Sequence, residues 1–383
     1  MVVKLGDICS FQSGGTPSRR NPEYFSGNIP WITTTALNGK KIGRNDAVAL
    51  ITEQAVAESA AKIVPAGSIM VGTRVGVGKV AINTEVMSTS QDIISLLNID
   101  ENVWDKEFLC KFLQSKSFFL NSQARGATIK GIKIDVLSEL DLPVMSKEEQ
   151  THISEIVDNV KKLISIRQQQ LEKLDELVKA RFVEMFGDTV LNPFGWEKAL
   201  LGTVCDVRDG THDSPSYYET GYPLVTSKNV SSGKINLTDC SLICESDFKK
   251  INERSKVDTG DIIMPMIGTI GKPVIVDIEP NFAIKNVALI KFKDSSRVLN
   301  AYVRALLMSD YFEDAVLSKV RGGTQKFISL GDIRKLCVLV PPMEKQEQFV
   351  MFVNQVDKSK VAVQKSLDEA QLLFDSLMQQ YFG

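Results

Sequence analysis

The sequence predicts a mixed α/β protein in which two similar globular units are joined by two long helices, paired antiparallel as a coiled coil. Three observations carry that expectation. Two long stretches contain no Pro or Gly and place apolar residues at heptad spacing. The second stretch repeats the first at a constant interval of 196 positions (353 − 157). Ahead of each stretch lie short β-branched runs divided by Gly, Asn and Asp turns, the pattern of strands.

The first stretch is Glu148 to Phe186, with a seam of Val157, Val160, Ile164, Leu171, Leu174, Val178 and Met185, interrupted by Arg167 and Arg181. At about 1.5 Å of rise per residue it is a rod of roughly 60 Å. The second, Glu344 to Phe382, carries Val353, Val356, Val363, Leu367, Ala370, Phe374, Leu377 and Tyr381, with Lys360 as the polar break. Both end in Phe-Gly, at Phe186-Gly187 and Phe382-Gly383. A seam of this length needs a partner helix, and the repeat supplies one within the chain.

The repeat continues through the rest of the sequence. Leu5-Gly6 recurs as Leu201-Gly202, Gly78-Lys79 as Gly271-Lys272, and Arg125-Gly126 as Arg321-Gly322. The expected organisation is a globular unit over 1–145, a central spacer helix over 146–187, a second unit over 188–342 and a C-terminal spacer helix over 343–383. Strands are expected at Ile29 to Thr34, Ser68 to Val71, Ile93 to Leu97, Gly260 to Met264 and Val287 to Phe292. One helix is expected in each unit, at Lys106 to Ser122 and Asn300 to Leu317.

Composition narrows the function. In 383 residues, 24% are charged and 43% hydrophobic, enough to bury substantial cores. The net charge of −2 excludes a uniformly basic nucleic-acid binder but leaves local patches open. No signal peptide opens the sequence and no apolar run approaches a membrane span, so a cytoplasmic protein is expected. The six Cys lack CxxC spacing and read as buried free thiols.

Catalytic and cofactor motifs fail on inspection. Gly72 to Lys79 has the look of a phosphate loop, but Thr73 stands where GxxxxGK needs Gly, and Val80 follows the Lys. A glycine-bent hairpin turn is the plainer reading. The two His, His152 and His212, have no metal-ligand spacing. Asn192-Pro193-Phe194-Gly195 resembles the Asn-Pro-Pro-aromatic motif of amino methyltransferases but lacks the second Pro, and no glycine-rich cofactor loop precedes it. No metal and no cofactor is expected in this chain, and no catalysis.

What remains are four polar loops at matching places in both units. The first holds Gly14, Thr16, Arg19 and Arg20, against Thr211 and His212. The second holds Thr34 and Thr35, against Ser227, Lys228 and Asn229. The third holds Arg74 and Lys79, against Lys272. The fourth holds Arg125, Thr128, Lys130 and Lys133, against Arg321, Thr324, Gln325 and Lys326. Each mixes amides and cations suited to phosphate with side chains suited to base edges; one such unit reads equally well as the solvated loops of any α/β domain, but two held apart by a rigid rod favour bipartite recognition of a long polymer.

GGTPSRRNPEYFSGNIPWIT and RDGTHDSPSYYETGYPLVTSKNV resemble the openings of target recognition domains in specificity (S) subunits of type I restriction-modification enzymes. The closings LSELDLPVMSKEEQTHISEIV and IRKLCVLVPPMEKQEQFVMFV, and the helix end from Ala180 to Asp188, are similar to the same family. The likeness spans essentially the whole chain in both repeats. It implies a pseudo-twofold, circular layout in which each domain reads one half of a split site in double-stranded DNA. It also implies that the helices set the gap and dock two methyltransferase (M) subunits, with restriction (R) subunits added for cleavage. S-adenosylmethionine, ATP and Mg then belong to those partners. Half-sites about one helical turn apart are expected, and an asymmetric site, because the two units differ. A stand-alone sequence-specific DNA-binding regulator is the alternative.

Overall fold

The computed structural model describes residues 2–126, 130–230, 233–267, 272–293, 295–316 and 327–383. The chain divides into two units: Met1–Ile166 with Ser366–Gly383, and Arg167–Lys365. The two long helices, Lys147–Phe186 and Met343–Phe382, are each 40 residues long and each begins one residue before its expected start. Each contributes to both units.

The first unit holds a five-stranded sheet in the order Ser10–Ser13, Ile93–Leu97, Ile69–Gly72, Val80–Asn83, Lys41–Ile42. A four-stranded sheet runs Ala49–Ile51, Ile29–Ile32, Met87–Thr89, Ile63–Val64. The central strands of the five-stranded sheet are buried on both faces, which is why they read as continuous apolar runs rather than alternating ones. The chain is closed by Val2–Lys4 pairing antiparallel with Asp141–Pro143. The main core gathers Leu5, Ile69, Phe108, Phe112 and Leu120 with Val157 of the first long helix and Phe382 of the second. Lys161 lies over the Phe374 ring, 5.6 Å from its centroid, tying the two helices together inside this unit.

The second unit repeats the plan with shorter sheets. Four strands run Asp206–Asp209, Val287–Lys291, Ile262–Pro265, Val274–Ile275, and three run Ser241–Ile243, Tyr222–Val225, Ala283–Ile284. Glu197–Leu200 pairs antiparallel with Cys337–Val340. Even single hydrogen bonds recur: Leu5 N–H donates to the Leu140 carbonyl, and Leu201 N–H to that of Leu336. Phe182 and Phe186 pack against Tyr302 and Phe349 with ring centroids 4.7–5.7 Å apart. Arg181 over Phe352 and the Lys360–Asp175 ion pair at 2.6 Å show the helices antiparallel here.

The seam is fully buried at the helix ends, at Val157, Phe186, Val353 and Phe382, and half-buried at Ile164, Leu171 and Leu174. Two helices alone cannot exclude water from their seam, whereas the ends also rest on a globular core. A buried Gln in the first turn fixes each helix to its unit. Gln150 accepts from Asp105 N–H and donates to the Val103 and Met145 carbonyls. Gln346 accepts from Leu299 N–H and donates to the Arg297 and Pro341 carbonyls. Each amide is wholly buried and fully partnered, the only state in which it is tolerated there.

Two expected helices are each two. Lys106–Ser115 and Ser117–Gln123 break at Lys116, whose ψ of 2° leaves the helix and whose ammonium donates to the Phe382 carbonyl. Asn300–Leu307 and Asp310–Val316 break at Met308 in the same way; Leu317 lies outside the described residues. The turn of backbone sends Leu120 and Phe312 back into their cores. The expected strands appear within one or two residues, at Ile29–Ile32, Ile69–Gly72, Ile93–Leu97, Ile262–Pro265 and Val287–Lys291. All six Cys are free, and only Cys110 and Cys205 are buried. Loss of solvent pushes the thiols of half-buried Cys9 and buried Cys205 up to about 12.

Candidate nucleic-acid interface

Strand register brings the loops of the first unit to one end of its sheets. Ile94 pairs with Ser13 and Ile93 with Gly72, so the loops leaving Ser13 and Gly72 start side by side. Ile32 pairs with Thr89, and Ser90 N–H donates to the Ile32 carbonyl, which places Thr33 to Thr35 beside them. Gly14 N–H is spent on the Ile93 carbonyl. A Cβ on Gly14 would stand 2.2 Å from Thr89 Oγ1 and 2.3 Å from the Ser90 carbonyl oxygen. Gly14 therefore serves close packing and offers no free amide to a phosphate, correcting that expectation.

Residues 73–79 form the hairpin turn between Ile69–Gly72 and Val80–Asn83, as the glycine spacing implied. The fourth loop docks on it. Arg125 and Gly131 exchange backbone hydrogen bonds of 2.9 and 3.0 Å, and Ile132 N–H donates to the Thr73 carbonyl. A Cβ on Gly131 would lie 2.9 Å from both Arg74 Cγ and the Thr73 carbonyl oxygen. The result is an open cleft of about 580 Å³ whose charged lining is Arg74, Arg125 and Lys133. Lys79 and Lys130 are exposed nearby in sequence, as are Arg19 and Arg20 on the first loop. Among the described residues none of these seven cations forms an ion pair. Unpaired guanidinium and ammonium groups on exposed loops are what phosphate recognition requires.

The second unit builds the same end of its sheet differently. Gly210 N–H donates to the Val287 carbonyl and Thr211 N–H to the Ile284 carbonyl, repeating the Gly14 and Gly15 contacts. Asp209 ends its strand with both carboxylate oxygens engaged: Oδ1 by Arg254, Oδ2 by His212 Nε2 at 2.9 Å. The other His212 nitrogen, Nδ1, is 2.8 Å from Asn286 Oδ1. Lys285 Nζ donates to Ser214 Oγ at 2.7 Å. A cleft of about 260 Å³ opens alongside, lined by Thr211, Asp213, Ser214, Asp247, Lys250 and Arg254. In the first unit the corresponding helix, Glu53–Glu58, is short, and the Ala60 carbonyl just after it closes on Gly15. In the second it is Glu245–Ser255, long enough to bring Lys250 and Arg254 to the cleft.

The other expected residues divide by exposure. Thr35 and Lys228 are exposed, while Thr16, Thr211 and Ser227 are half-buried. Lys272 is exposed. Thr34 and Asn229 are buried at 4% and 6%, so neither reaches a base edge. The Asn229 side chain instead accepts from Thr226 N–H and Oγ1, locking its own turn. Thr128, Arg321, Thr324, Gln325 and Lys326 lie outside the described residues. The sequence reading placed Asp209 only as the start of the loop that holds Thr211 and His212, and it missed Arg254, Lys285 and Asn286. Only Asn286 carries a local mark, a φ of +55°, which Asn tolerates better than most residues.

Among the described residues no cluster of His, Cys, Asp and Glu could hold a metal ion, and no helix is long and apolar enough to cross a membrane. The type I restriction modification DNA specificity domain matches this sequence twice, over residues 1–176 and 193–370. The MjaIX specificity subunit of a type I restriction enzyme from Methanocaldococcus jannaschii is 27% identical, over 98% of this chain and 91% of that protein. A solved chain from work on complex assembly and conformational transition of the type I R-M system aligns over 100% of this chain and 97% of its own, with a TM-score of 0.64 at 18% identity. The S subunit of a type I restriction-modification system from M. genitalium aligns over 100% and 96%, with a TM-score of 0.53 at 15% identity. Two domain matches that together span most of the chain place this protein in the type I restriction-modification DNA specificity family.

Proposed function

We propose that this chain reads a bipartite, asymmetric DNA site, one half with each unit, and docks two methyltransferase and two restriction subunits that carry the chemistry. S-adenosylmethionine, ATP and Mg bind to those partners, and the chain itself is not catalytic. The long helices set the gap between the half-sites. The observation that carries the reading is the cleft of Arg74, Arg125 and Lys133, three cations at the loop end of a sheet that form no ion pair among the described residues. Cations so placed release counterions from a DNA backbone, and the exposed polar loops beside them supply contacts to base edges. The unlike clefts of the two units are the reason for asymmetry.

The test measures DNA binding by the assembled complex as a function of salt. Replacing Arg74, Arg125 and Lys133 together with Ala should weaken binding to all sequences. The slope of log K against log salt should fall by about three, roughly one per phosphate contact. Parental affinity and slope in the triple variant would remove the DNA face from this end of the unit.

A further inference from the structure

The second cleft differs from the first in what it would accept. Two carboxylates, Asp213 and Asp247, line it beside Lys250 and Arg254, and among the described residues neither carboxylate has an ion-pair partner. A phosphate entering here would meet both at short range. A base-pair edge carries no net charge, and a G·C pair sets the cytosine N4 donor beside the guanine acceptors, so it escapes that repulsion. Arg254 is the group best prepared for such an edge. It sits in the last turn of Glu245–Ser255, its side chain 65% exposed, while Asp209 beneath it is 14% exposed. One terminal nitrogen is held by Asp209 Oδ1, and the backbone carbonyl of Arg254 accepts from Arg208 Nη1 at 2.9 Å. The other guanidinium nitrogens have no protein partner among the described residues. His212, on the second oxygen of Asp209, prevents that carboxylate from turning away.

We propose that Arg254 reads a guanine edge in the half-site of the second unit, with Asp209 as the positioning residue that holds its guanidinium. A fork fixed at one nitrogen keeps two donors in a plane, matching the O6 and N7 acceptors of guanine in the major groove. The inference rests on the DNA reading proposed above and adds to it a residue outside the four loops.

The experiment uses the full chain assembled with its methyltransferase subunits and sequences the sites methylated by Arg254→Ala, Arg254→Lys and Asp209→Asn. Both Arg254 variants should accept other bases at one position of one half-site. Discrimination there should drop roughly 5- to 150-fold, with the other half-site unchanged. Asp209→Asn should relax the same position. Arg254→Lys keeps the charge beside Asp209 and loses only the planar fork, so it decides the matter if Arg254→Ala fails to assemble. Unaltered sites in all three variants would reduce Arg254–Asp209 to a structural tie. A uniform loss of affinity, with the salt slope lower by about one, would make Arg254 a phosphate contact. Either result overturns the inference while leaving DNA reading in place. A parental complex that selects no sequence would overturn both.

Discussion

The two clefts open at the same end of their sheets but at different loops, the first beside Arg74 and Arg125 and the second beside Thr211 and the helix Glu245–Ser255, and they differ in charge. In the first unit three cations face an open space, with no carboxylate among the described residues that line it. In the second, Asp213 and Asp247 share the lining with Lys250 and Arg254, and Asp209 draws Arg254 and His212 into one hydrogen-bonded group. The scaffold beneath is shared to the level of single backbone hydrogen bonds, Gly15 to Thr89 and Thr211 to Ile284. Framework and surface therefore answer to separate constraints. Strand pairing tolerates almost any exposed loop, so charge can change completely while the fold does not.

The largest effect that bears on this comparison involves both units at once. Seven residues inserted in each long helix, after Lys173 and after Glu369, add about 10.5 Å of rise and keep the heptad phase. Both half-site sequences should survive, with a spacer longer by about 3 base pairs at 3.4 Å each, in the methylated sites of cells carrying the variant. An unchanged spacer at full activity would show that the helices do not set it.

Next in size is a test of the shared framework. Gln150→Leu and Gln346→Leu each strip partners from three backbone groups, most of them half-buried. Each should cost about 3 kcal/mol in chemical denaturation, because one or two of those groups stay unsatisfied. Similar losses are expected in both units despite their unlike surfaces. A large loss in only one would mean that the two helix attachments are not equivalent.

The smallest effect separates the clefts themselves. Asp213→Asn with Asp247→Asn removes two negative charges from the second cleft. Binding to non-cognate DNA should tighten by about 1 kcal/mol at low salt and converge on the parent as salt rises. A binding curve indistinguishable from the parent at every salt concentration would place this cleft away from the DNA.

The sequence by itself determined the repeat, the two long helices and their partnership, because heptad spacing and helix propensity are written in consecutive residues. Phe186-Gly187 shows how local this was: Gly187 takes a φ of +77° and its N–H returns to the Val183 carbonyl, ending the helix where the Gly stands. The sequence also located the first and third loops, which flank strands it could identify. Tertiary structure alone decided which loop residues face solvent and which groups meet. Thr34 and Asn229 look as available as Thr35 and Lys228 in the sequence, yet packing buries the first pair and exposes the second. Arg74, Arg125 and Lys133 line one cleft only because Ile132 hydrogen-bonds back to Thr73. Asp209, Arg254 and Asn286 are brought together by sheet register and by the length of one helix. Periodicity describes how a residue relates to its neighbours in the chain, and these groups have no neighbours in common until the chain has folded.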